Sequence, residues 1–295
     1  MKRKSFVEHI GWTGAGIVWT LSAGGLLTES ACSAEQPGGG FNFVQISDSH
    51  IGFHRPENPD VAGTLKKTVD RINGLKTQPA FVVHTGDVTQ LSKPSQFGTA
   101  KDILSGLKAP VITLPGEHDV IGGPKEFFSA FARQDAPDGW FSFDQGGAHF
   151  VAIVNVFDFE VMGKMGQKQL DWMKKDLSTV SSSTPVVVFG HVPMYALYPK
   201  WGWTTEDGAQ ALALLRRFDH VTVLNGHIHQ IVRHSEGNIQ FATAAATAYP
   251  QPAPGKGPGP GPLMVPPGHL LSVIGYRTVE LSNTKAAAVE DYSLA

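Results

Sequence analysis

The sequence predicts an α/β protein in which short buried strands alternate with amphipathic helices, and three observations predict it. Five short, β-branched apolar runs are bounded by turn residues, as buried strands are. Four longer stretches between them carry apolar residues at helical spacing. After residue 228 the pattern changes to strands in succession, which predicts a mixed sheet or a pair of sheets flanked by helices.

The elements follow one another in a regular order from Phe41 onward. WFSFDQGGAHFVAIVNV (140–156) has the pattern of a hairpin that turns at Gly146-Gly147. The late strands are QIVRHS, NIQFAT, LLSVIGYRTVEL and AAAVEDY, predicted as a meander. The five early strands are FNFVQIS (41–47), AFVVHT (80–85), PVITL (110–114), VVVFG (186–190) and VTVLN (221–225). The four helices are DVAGTLKKTVDRINGLK (60–76), SQFGTAKDILSGL (95–107), GQKQLDWMKKDLS (166–178) and EDGAQALALLRRF (206–218).

Length and charge limit the classes of protein that fit. With 295 residues the chain can bury a substantial core, and we expect a single domain over residues 35–295. A formal net charge of −2 leaves no basic footprint for a nucleic-acid polymer. The Pro/Gly-rich segment 249–268 cannot form regular structure and is predicted to be a long loop or lid over that domain.

The first 34 residues have the three-part layout of an export signal: a basic start, an apolar Gly-rich stretch, and a small polar end. The stretch Arg3-Lys4-Ser5-Phe6-Val7 resembles a twin-arginine signal with Lys as the second basic residue. Cleavage after Ala34 would remove Cys32, the only cysteine; a lipid anchor at Cys32 fits less well because Glu29 stands where an aliphatic residue is wanted. We therefore expect an exported protein, periplasmic or extracellular, that uses the export machinery and keeps no membrane span.

Polar residues follow each of the five early strands at the point where the strand ends. Because the carboxyl ends of adjacent strands line one crevice in open α/β sheets, we expect these residues to converge. Carboxylates and imidazoles that face one another are costly unless cations neutralise them. The residues are Asp48 and His50, Asp87, Glu117 with His118 and Asp119, His191, and His227 with His229.

These side chains have the chemistry of a site for two metal ions. Carboxylate and imidazole ligands without thiolate suit Mn²⁺, Fe or Zn²⁺. An aspartate can bridge two cations, and a metal pair clamps a phosphate and generates hydroxide at neutral pH.

The order D-x-H, G-D, G-x-H-D, G-H and G-H-x-H resembles that of the calcineurin-like metallophosphoesterases. The resemblance covers residues 40–281 and implies a four-layer αββα sandwich of two mixed sheets flanked by helices. It also implies that His118 contacts the phosphate or protonates the leaving oxygen, with Asp119 orienting its ring. The implied ligands are Asp48, His50 and His229 for one metal, Asp87 as the bridge, and His191 and His227 for the other.

Glu117 departs from the family pattern, which usually has Asn at this position. It could act as a carboxylate ligand of the second metal, swing away and leave that site weak, or mark a protein that kept the fold and lost activity. The first reading is favoured because all the histidines and aspartates of the pattern are present. In MYALYPKWGW (194–203), the aromatic residues Trp201 and Trp203 could stack on a substrate or belong to the core.

The resemblance implies hydrolysis of a small phosphate ester by a metal-bound hydroxide, as a phosphomonoesterase or a phosphodiesterase. Export argues against an intracellular messenger as the substrate. The alternative is a non-catalytic binding protein of the same fold with a weakened second metal site.

Overall fold

A computed structural model of the chain describes residues 18–21, 27–30, 40–131, 133–282 and 285–295. Residues Met1–Gly39 and Gly40–Ala295 form two separate compact units. In the first unit, strands β1 (Val18–Leu21) and β2 (Leu27–Ser30) pair as an antiparallel hairpin. Most of the predicted export signal, Cys32 included, lies outside the described residues, so export stays a prediction.

The second unit contains the predicted alternation of strands and helices. Among its described residues, the strands are β3 (Phe41–Ile46), β4 (Val82–His84), β5 (Val111–Thr113), β6 (Phe141–Gln145), β7 (Ala148–Ala152), β8 (Val186–Phe189), β9 (Val221–Asn225), β10 (Val232–Glu236), β11 (Ile239–Thr243), β12 (Gly275–Ser282) and β13 (Lys285–Ser293). The helices are α1 (Val61–Asn73), α2 (Pro94–Leu104), α3 (Lys125–Phe131), α4 (Gln167–Leu177), α5 (Gly208–Leu215) and α6 (Leu270–Val273).

The strands divide between two mixed sheets. The five-stranded sheet has the order β13-β12-β3-β4-β5, in which β3, β4 and β5 run parallel and β12 is antiparallel to both of its neighbours. The six-stranded sheet has the order β10-β11-β9-β8-β7-β6, with β7, β8, β9 and β11 parallel. The carboxyl ends of three parallel strands of one sheet and of β8 and β9 of the other carry the polar groups singled out above.

The two sheets pack face to face around a core of aromatic rings. Phe43 of β3 stacks on Phe81 with ring centroids 4.9 Å apart, and meets Phe189 of β8 edge-on at 5.6 Å. Each such ring is worth about 1.5–3 kcal/mol of transfer free energy when fully buried. Helices α1 and α2 cover the outer face of the five-stranded sheet, and α4 and α5 cover that of the six-stranded sheet. The predicted αββα sandwich is therefore confirmed.

Local sequence signals explain where several elements begin and turn. Asp60 caps α1 by accepting a hydrogen bond from the backbone N–H of Gly63 at 2.8 Å. Pro94 opens α2, where its missing N–H costs nothing. Gly146 and Gly147 both have positive φ, 59° and 77°, as a two-residue hairpin turn between β6 and β7 requires.

Two sequence-based expectations about elements were wrong, and one helix was missed. Residues 270–273 form the short helix α6, so the strand predicted from Leu270 begins only at Gly275. Helix α3 was not predicted. The late strands do not form one meander, because β10 and β11 join the six-stranded sheet while β12 and β13 join the other. Within the described ranges, no helix combines the length and the apolar character that a membrane crossing requires.

Candidate metal centre

Three parallel strands of the five-stranded sheet each place acidic or imidazole side chains at one edge. Asp48 and His50 follow β3, Asp87 follows β4, and Glu117 with His118 follows β5 in a short 3-10 turn. The loops are tied together, because the backbone N–H of Asp48 donates to the carbonyl of Gly86 at 3.0 Å. The six-stranded sheet adds His191 after β8, and His227 and His229 after β9.

The backbone at this edge is held in a conformation that side-chain-bearing residues rarely adopt. Positive φ angles cost of order 1–3 kcal/mol for such residues and cluster at functional sites. Five of the predicted ligands share this feature within the described chain: Asp48 (54°), His50 (42°), Asp87 (53°), His227 (69°) and His229 (51°).

We call the first group of converging side chains the first cluster; its members are Asp48, His50, Asp87 and His229, all buried. The Nε2 atoms of His50 and His229 lie 3.1 Å apart, and His229 Nε2 is 3.3 Å from Asp48 Oδ1. The Nδ1 atom of His229 is 2.6 Å from the carbonyl oxygen of Tyr249 and donates to it, which leaves Nε2 as the lone-pair nitrogen.

The second cluster consists of Glu117, His191 and His227. Glu117 reaches both imidazoles: its Oε2 is 2.9 Å from His191 Nε2, and its Oε1 is 3.0 Å from His227 Nδ1. The Nδ1 atom of His191 donates to the carbonyl of Thr85 at 2.6 Å, so Nε2 is the nitrogen that faces the cluster. The side chain of Glu117 therefore does not swing away from this group.

Asp87 of the first cluster also faces the second cluster. Its Oδ2 is 3.5 Å from His50 Nε2 of the first cluster and 3.4 Å from His191 Nε2 of the second. Its other oxygen, Oδ1, accepts a hydrogen bond from the backbone N–H of His118 at 2.9 Å, which fixes the carboxylate. One carboxylate oxygen shared by two ligand groups is the arrangement that a bridging ligand needs.

The donor atoms fit metal ions because several of them are buried without a hydrogen bond. Among the described residues, Glu117 Oε2, His191 Nε2 and both ring nitrogens of His227 have no hydrogen-bond partner. His191 Nε2 and Glu117 Oε2 are nevertheless only 2.9 Å apart. Such close buried polar atoms need an explanation, and a cation between them supplies one. Carboxylate and imidazole donors without sulfur suit Mn²⁺, Fe or Zn²⁺.

Burial and neighbouring charges shift the pKa values of His50, Glu117 and His191. Burial lowers the pKa of His50 to about 3, so its ring is neutral at pH 7, as a metal ligand must be. For Glu117, burial opposes ionisation, but His227 and His191 outweigh it and hold the pKa well below its usual range. For His191, burial opposes the charged ring, but the carboxylates of Asp87 and Glu117 outweigh burial and raise the pKa above its usual range.

His118 is oriented by Gln90 and not by Asp119, which corrects the role predicted for Asp119. The Nδ1 atom of His118 donates to the backbone carbonyl of Gln90 at 2.9 Å. The carboxylate of Asp119 is instead occupied by the backbone N–H groups of Val88, Thr89 and Gly116, and by the Thr89 hydroxyl, at 2.7–3.0 Å. Burial and the neighbouring Asp87 raise the pKa of Asp119 to about 7. Asp119 therefore joins two loops of the site and does not contact the imidazole ring.

Of the two tryptophans proposed as substrate contacts, Trp203 is a core residue. Only 1% of Trp203 is exposed, and it packs edge-on against Trp201 with ring centroids 5.0 Å apart. Trp201 is half-buried in the 3-10 turn Pro199–Trp201. The prediction that Trp203 contacts substrate is thus wrong for this structure, and the prediction that Trp201 does so stays untested.

Two features of the site were not predicted from the sequence. The ring of Tyr249 packs against His50 and His229, with centroid distances of 5.0 and 4.7 Å. Gln251 donates from Nε2 to the carbonyl of His227 at 3.1 Å and accepts from the backbone N–H of Gly261 at 3.0 Å. The start of the Pro/Gly-rich segment 249–268 is therefore fastened to both clusters. No sequence pattern marks such contacts, because several of them are made by backbone carbonyls.

Comparisons with known proteins agree with this arrangement. The sequence model of the calcineurin-like phosphoesterase family matches residues 41–231. The glycerophosphodiester phosphodiesterase GpdQ of Enterobacter lignolyticus is 26% identical over 240 residues, 77% of this chain and 85% of that protein. The serine/threonine-protein phosphatase CPPED1 of Danio rerio is 25% identical over 223 residues, 65% of this chain and 71% of that protein.

The solved structures show the same fold. A dimetal phosphatase from Danio rerio aligns with a TM-score of 0.62 at 15% identity, over 86% of this chain and 96% of that one. A purple acid phosphatase from Lupinus luteus aligns with a TM-score of 0.60 at 13% identity, over 86% of this chain and 51% of that one. At such identities the likeness concerns the fold alone.

Proposed function

The chain belongs to the calcineurin-like phosphoesterase family and is a hydrolase of phosphoric esters, and on this premise we propose a role for each side chain of the site. The first cluster would hold one metal ion. The second cluster would hold another, with Glu117 as a carboxylate ligand and Asp87 as the residue shared between the two sites. The observation that carries this proposal is the position of Asp87 Oδ2, within 3.5 Å of His50 Nε2 and 3.4 Å of His191 Nε2.

The chain's own residues supply geometry and proton handling. A metal pair, when bound, neutralises phosphoryl oxygens and makes water nucleophilic at neutral pH. The carboxylate of Asp87 accepts a hydrogen bond from the backbone N–H of His118, which ties Asp87 to the loop that carries the candidate acid. Donation of Nδ1–H to Gln90 leaves Nε2 of His118 as the atom that can contact phosphate or hand a proton to the leaving oxygen. Asp119 keeps the two loops that carry Asp87 and His118 in register.

The metals are proposed to be Mn, Fe or Zn, because the ligands are imidazoles and carboxylates. The substrate is proposed to be a small phosphate ester. GpdQ, to which this chain is similar, is named for a phosphodiester and CPPED1 for phosphoproteins, so their names support both ester classes.

Export is proposed on the N-terminal sequence alone. The basic start, apolar stretch and small polar end of residues 1–34 support a cleaved signal. Sequencing the amino terminus of the protein secreted from its host should give Glu35. A mature protein that starts at Met1 would contradict cleavage.

The enzymatic proposal is tested with a chromogenic phosphomonoester and the matching diester, assayed in parallel with Mn²⁺ and again after chelation. Turnover that chelation abolishes and Mn²⁺ restores is the expected result. Asp87→Asn should reduce the turnover at least a hundredfold, because the bridging charge is lost. A folded protein that turns over neither ester with any of the three metals would favour the non-catalytic alternative.

A further inference from the structure

Glu117 places a third carboxylate among the donor atoms, and this extra charge has a consequence for the substrate. Its side chain is 19% exposed, and its two oxygens lie against two different imidazoles, at 2.9 Å from His191 and 3.0 Å from His227. Turning the carboxylate out of the site would break both contacts. The charge is therefore fixed beside the position that the phosphate must occupy.

No Lys or Arg side chain offsets this charge within the described part of the chain. The ion-pair partners of Asp48, Asp87 and Glu117 there are all imidazoles, and Lys or Arg side chains are absent from these pairs. Imidazoles that bind metals are neutral. With two divalent cations bound, the three carboxylates leave one positive charge, whereas a neutral residue at position 117 would leave two. The hydroxide nucleophile and a protonated His118 contribute opposite charges that cancel, so the difference made by Glu117 remains.

The remaining charge matches one class of phosphate ester better than the other. A phosphodiester carries one negative charge, which a site of charge +1 neutralises. A phosphomonoester carries close to two above its second pKa of about 6, which leaves the same site negative. We propose that Glu117 is a specificity-determining residue that selects monoanionic phosphodiesters against dianionic phosphomonoesters. This inference rests on the proposed function of the site.

The size of the effect follows from Coulomb's law. At a separation of about 5 Å and an effective dielectric constant of about 20, one pair of unit charges changes a binding constant by roughly two orders of magnitude. Removing the charge of Glu117 makes the free energy of binding more favourable for both ions, and the gain for a dianion is twice the gain for a monoanion. The ratio of monoester to diester hydrolysis should therefore rise between about tenfold and a hundredfold.

The test compares Glu117→Gln, which removes the charge at constant size, with Glu117→Asp, which keeps the charge. The full-length protein is loaded with Mn²⁺ and kcat/KM is measured for p-nitrophenyl phosphate and methyl p-nitrophenyl phosphate at pH 8. The E117Q ratio of monoester to diester should rise at least tenfold, while the E117D ratio stays within about threefold of the original protein. Both esters use the same loaded fraction of enzyme, so partial loss of metal cancels in this ratio.

A second readout does not depend on turnover. Calorimetric titration of the Mn²⁺-loaded proteins with inorganic phosphate and with dimethyl phosphate measures binding of the dianion and the monoanion directly. In E117Q the gain for inorganic phosphate should exceed that for dimethyl phosphate at least tenfold. If E117Q loses a metal completely, Glu117→Asn serves as the second neutral variant, with metal content measured by mass spectrometry.

The outcomes separate the two proposals. An original protein that hydrolyses esters, combined with an unchanged ratio in a neutral variant that retains both metals, overturns the selection by charge and leaves the enzyme standing. A rise of the same size in E117D would also overturn it, because the charge is then irrelevant. An original protein that hydrolyses neither ester overturns the proposed function itself.

Discussion

We expect replacement of Gly116 by alanine to displace Asp87 from its position while the chain stays folded. Gly116 lies in the loop after β5, directly before Glu117. A Cβ atom at this position would lie 2.2 Å from Asp87 Oδ1 and 2.3 Å from the backbone nitrogen of Asp87. Because a backbone atom is involved, a rotamer change of Asp87 alone cannot relieve the overlap.

The geometry gives the size of the effect. An ordinary non-bonded contact is about 3.5 Å, so the loops after β4 and β5 must move apart by about 1 Å. Overpacking of this kind costs about 1–3 kcal/mol of folding free energy. A misplacement of about 1 Å at a catalytic group costs on the order of a hundredfold in rate. We expect Gly116→Ala to fold, to lose about one hundredfold in kcat/KM on a diester, and to bind Mn²⁺ more weakly.

Gly98→Ala is the matched control for this experiment. Gly98 is exposed on α2, and a Cβ there would meet nothing within 4 Å. Alanine should raise helix stability by up to about 1 kcal/mol and leave the rate unchanged. Thermal unfolding establishes that both variants are folded, and steady-state kinetics with saturating Mn²⁺ gives the rates. A folded Gly116→Ala protein with kcat/KM within twofold of the original would refute the close approach of Gly116 to Asp87.

Three further variants test the packing around the site and far from it. Asp119→Ala should lower the free energy of unfolding by about 3 kcal/mol in urea, since four hydrogen bonds at about 0.5–1.5 kcal/mol each are lost; an unchanged midpoint would contradict that role. Asp291→Ala should cost about 3–5 kcal/mol, because Arg277, 1% exposed, loses its charged partner at 2.7 Å, and Arg277→Met in the same background should recover much of the loss. Two carboxylates flank His149; burial opposes the charged ring, but the carboxylates outweigh burial and raise the pKa above 6.5. The contribution of these ion pairs to folding stability is therefore complete below pH 6.5 and is lost as the pH rises through the raised pKa. His149→Gln should therefore cost about 1 kcal/mol at pH 5.5 and much less at pH 9, and equal losses at both pH values would be inconsistent with the ion pairs.

The strand–helix alternation and the residues that converge at the site could be predicted from the sequence because both depend on local patterns. β-branched runs predict buried strands, and the residue that follows each run lies at a strand end by construction. Asp48, Asp87 and His191 were thus predicted to converge without knowledge of which strands pair. In the structure, His191 Nε2 lies within 4 Å of a carboxylate oxygen of Asp48 and of Asp87.

Other features depend on contacts that leave no local pattern. Gln90 and Tyr249 hold imidazoles through their backbone carbonyls, and every residue has a carbonyl. Asp119 follows His118 directly in sequence, yet the 3-10 turn directs its carboxylate to the backbone of the neighbouring loop. Trp203 stands in a polar, Gly-containing loop, and only its tertiary packing shows that it is buried. Sequence order therefore predicted which residues converge at the site, but it did not predict the hydrogen-bond partner of each one.

Metal stoichiometry decides whether the two clusters form a dinuclear centre. The purified full-length protein is stripped with a chelator and titrated calorimetrically with Mn²⁺, while hydrolysis of a phosphodiester is followed in parallel samples. We expect two bound ions per chain, with activity that appears as the second ion binds, and a loss of at least one ion in Asp87→Asn. Full activity in the stripped protein, or a folded chain that binds fewer than one ion, would contradict a dinuclear centre built from the two clusters.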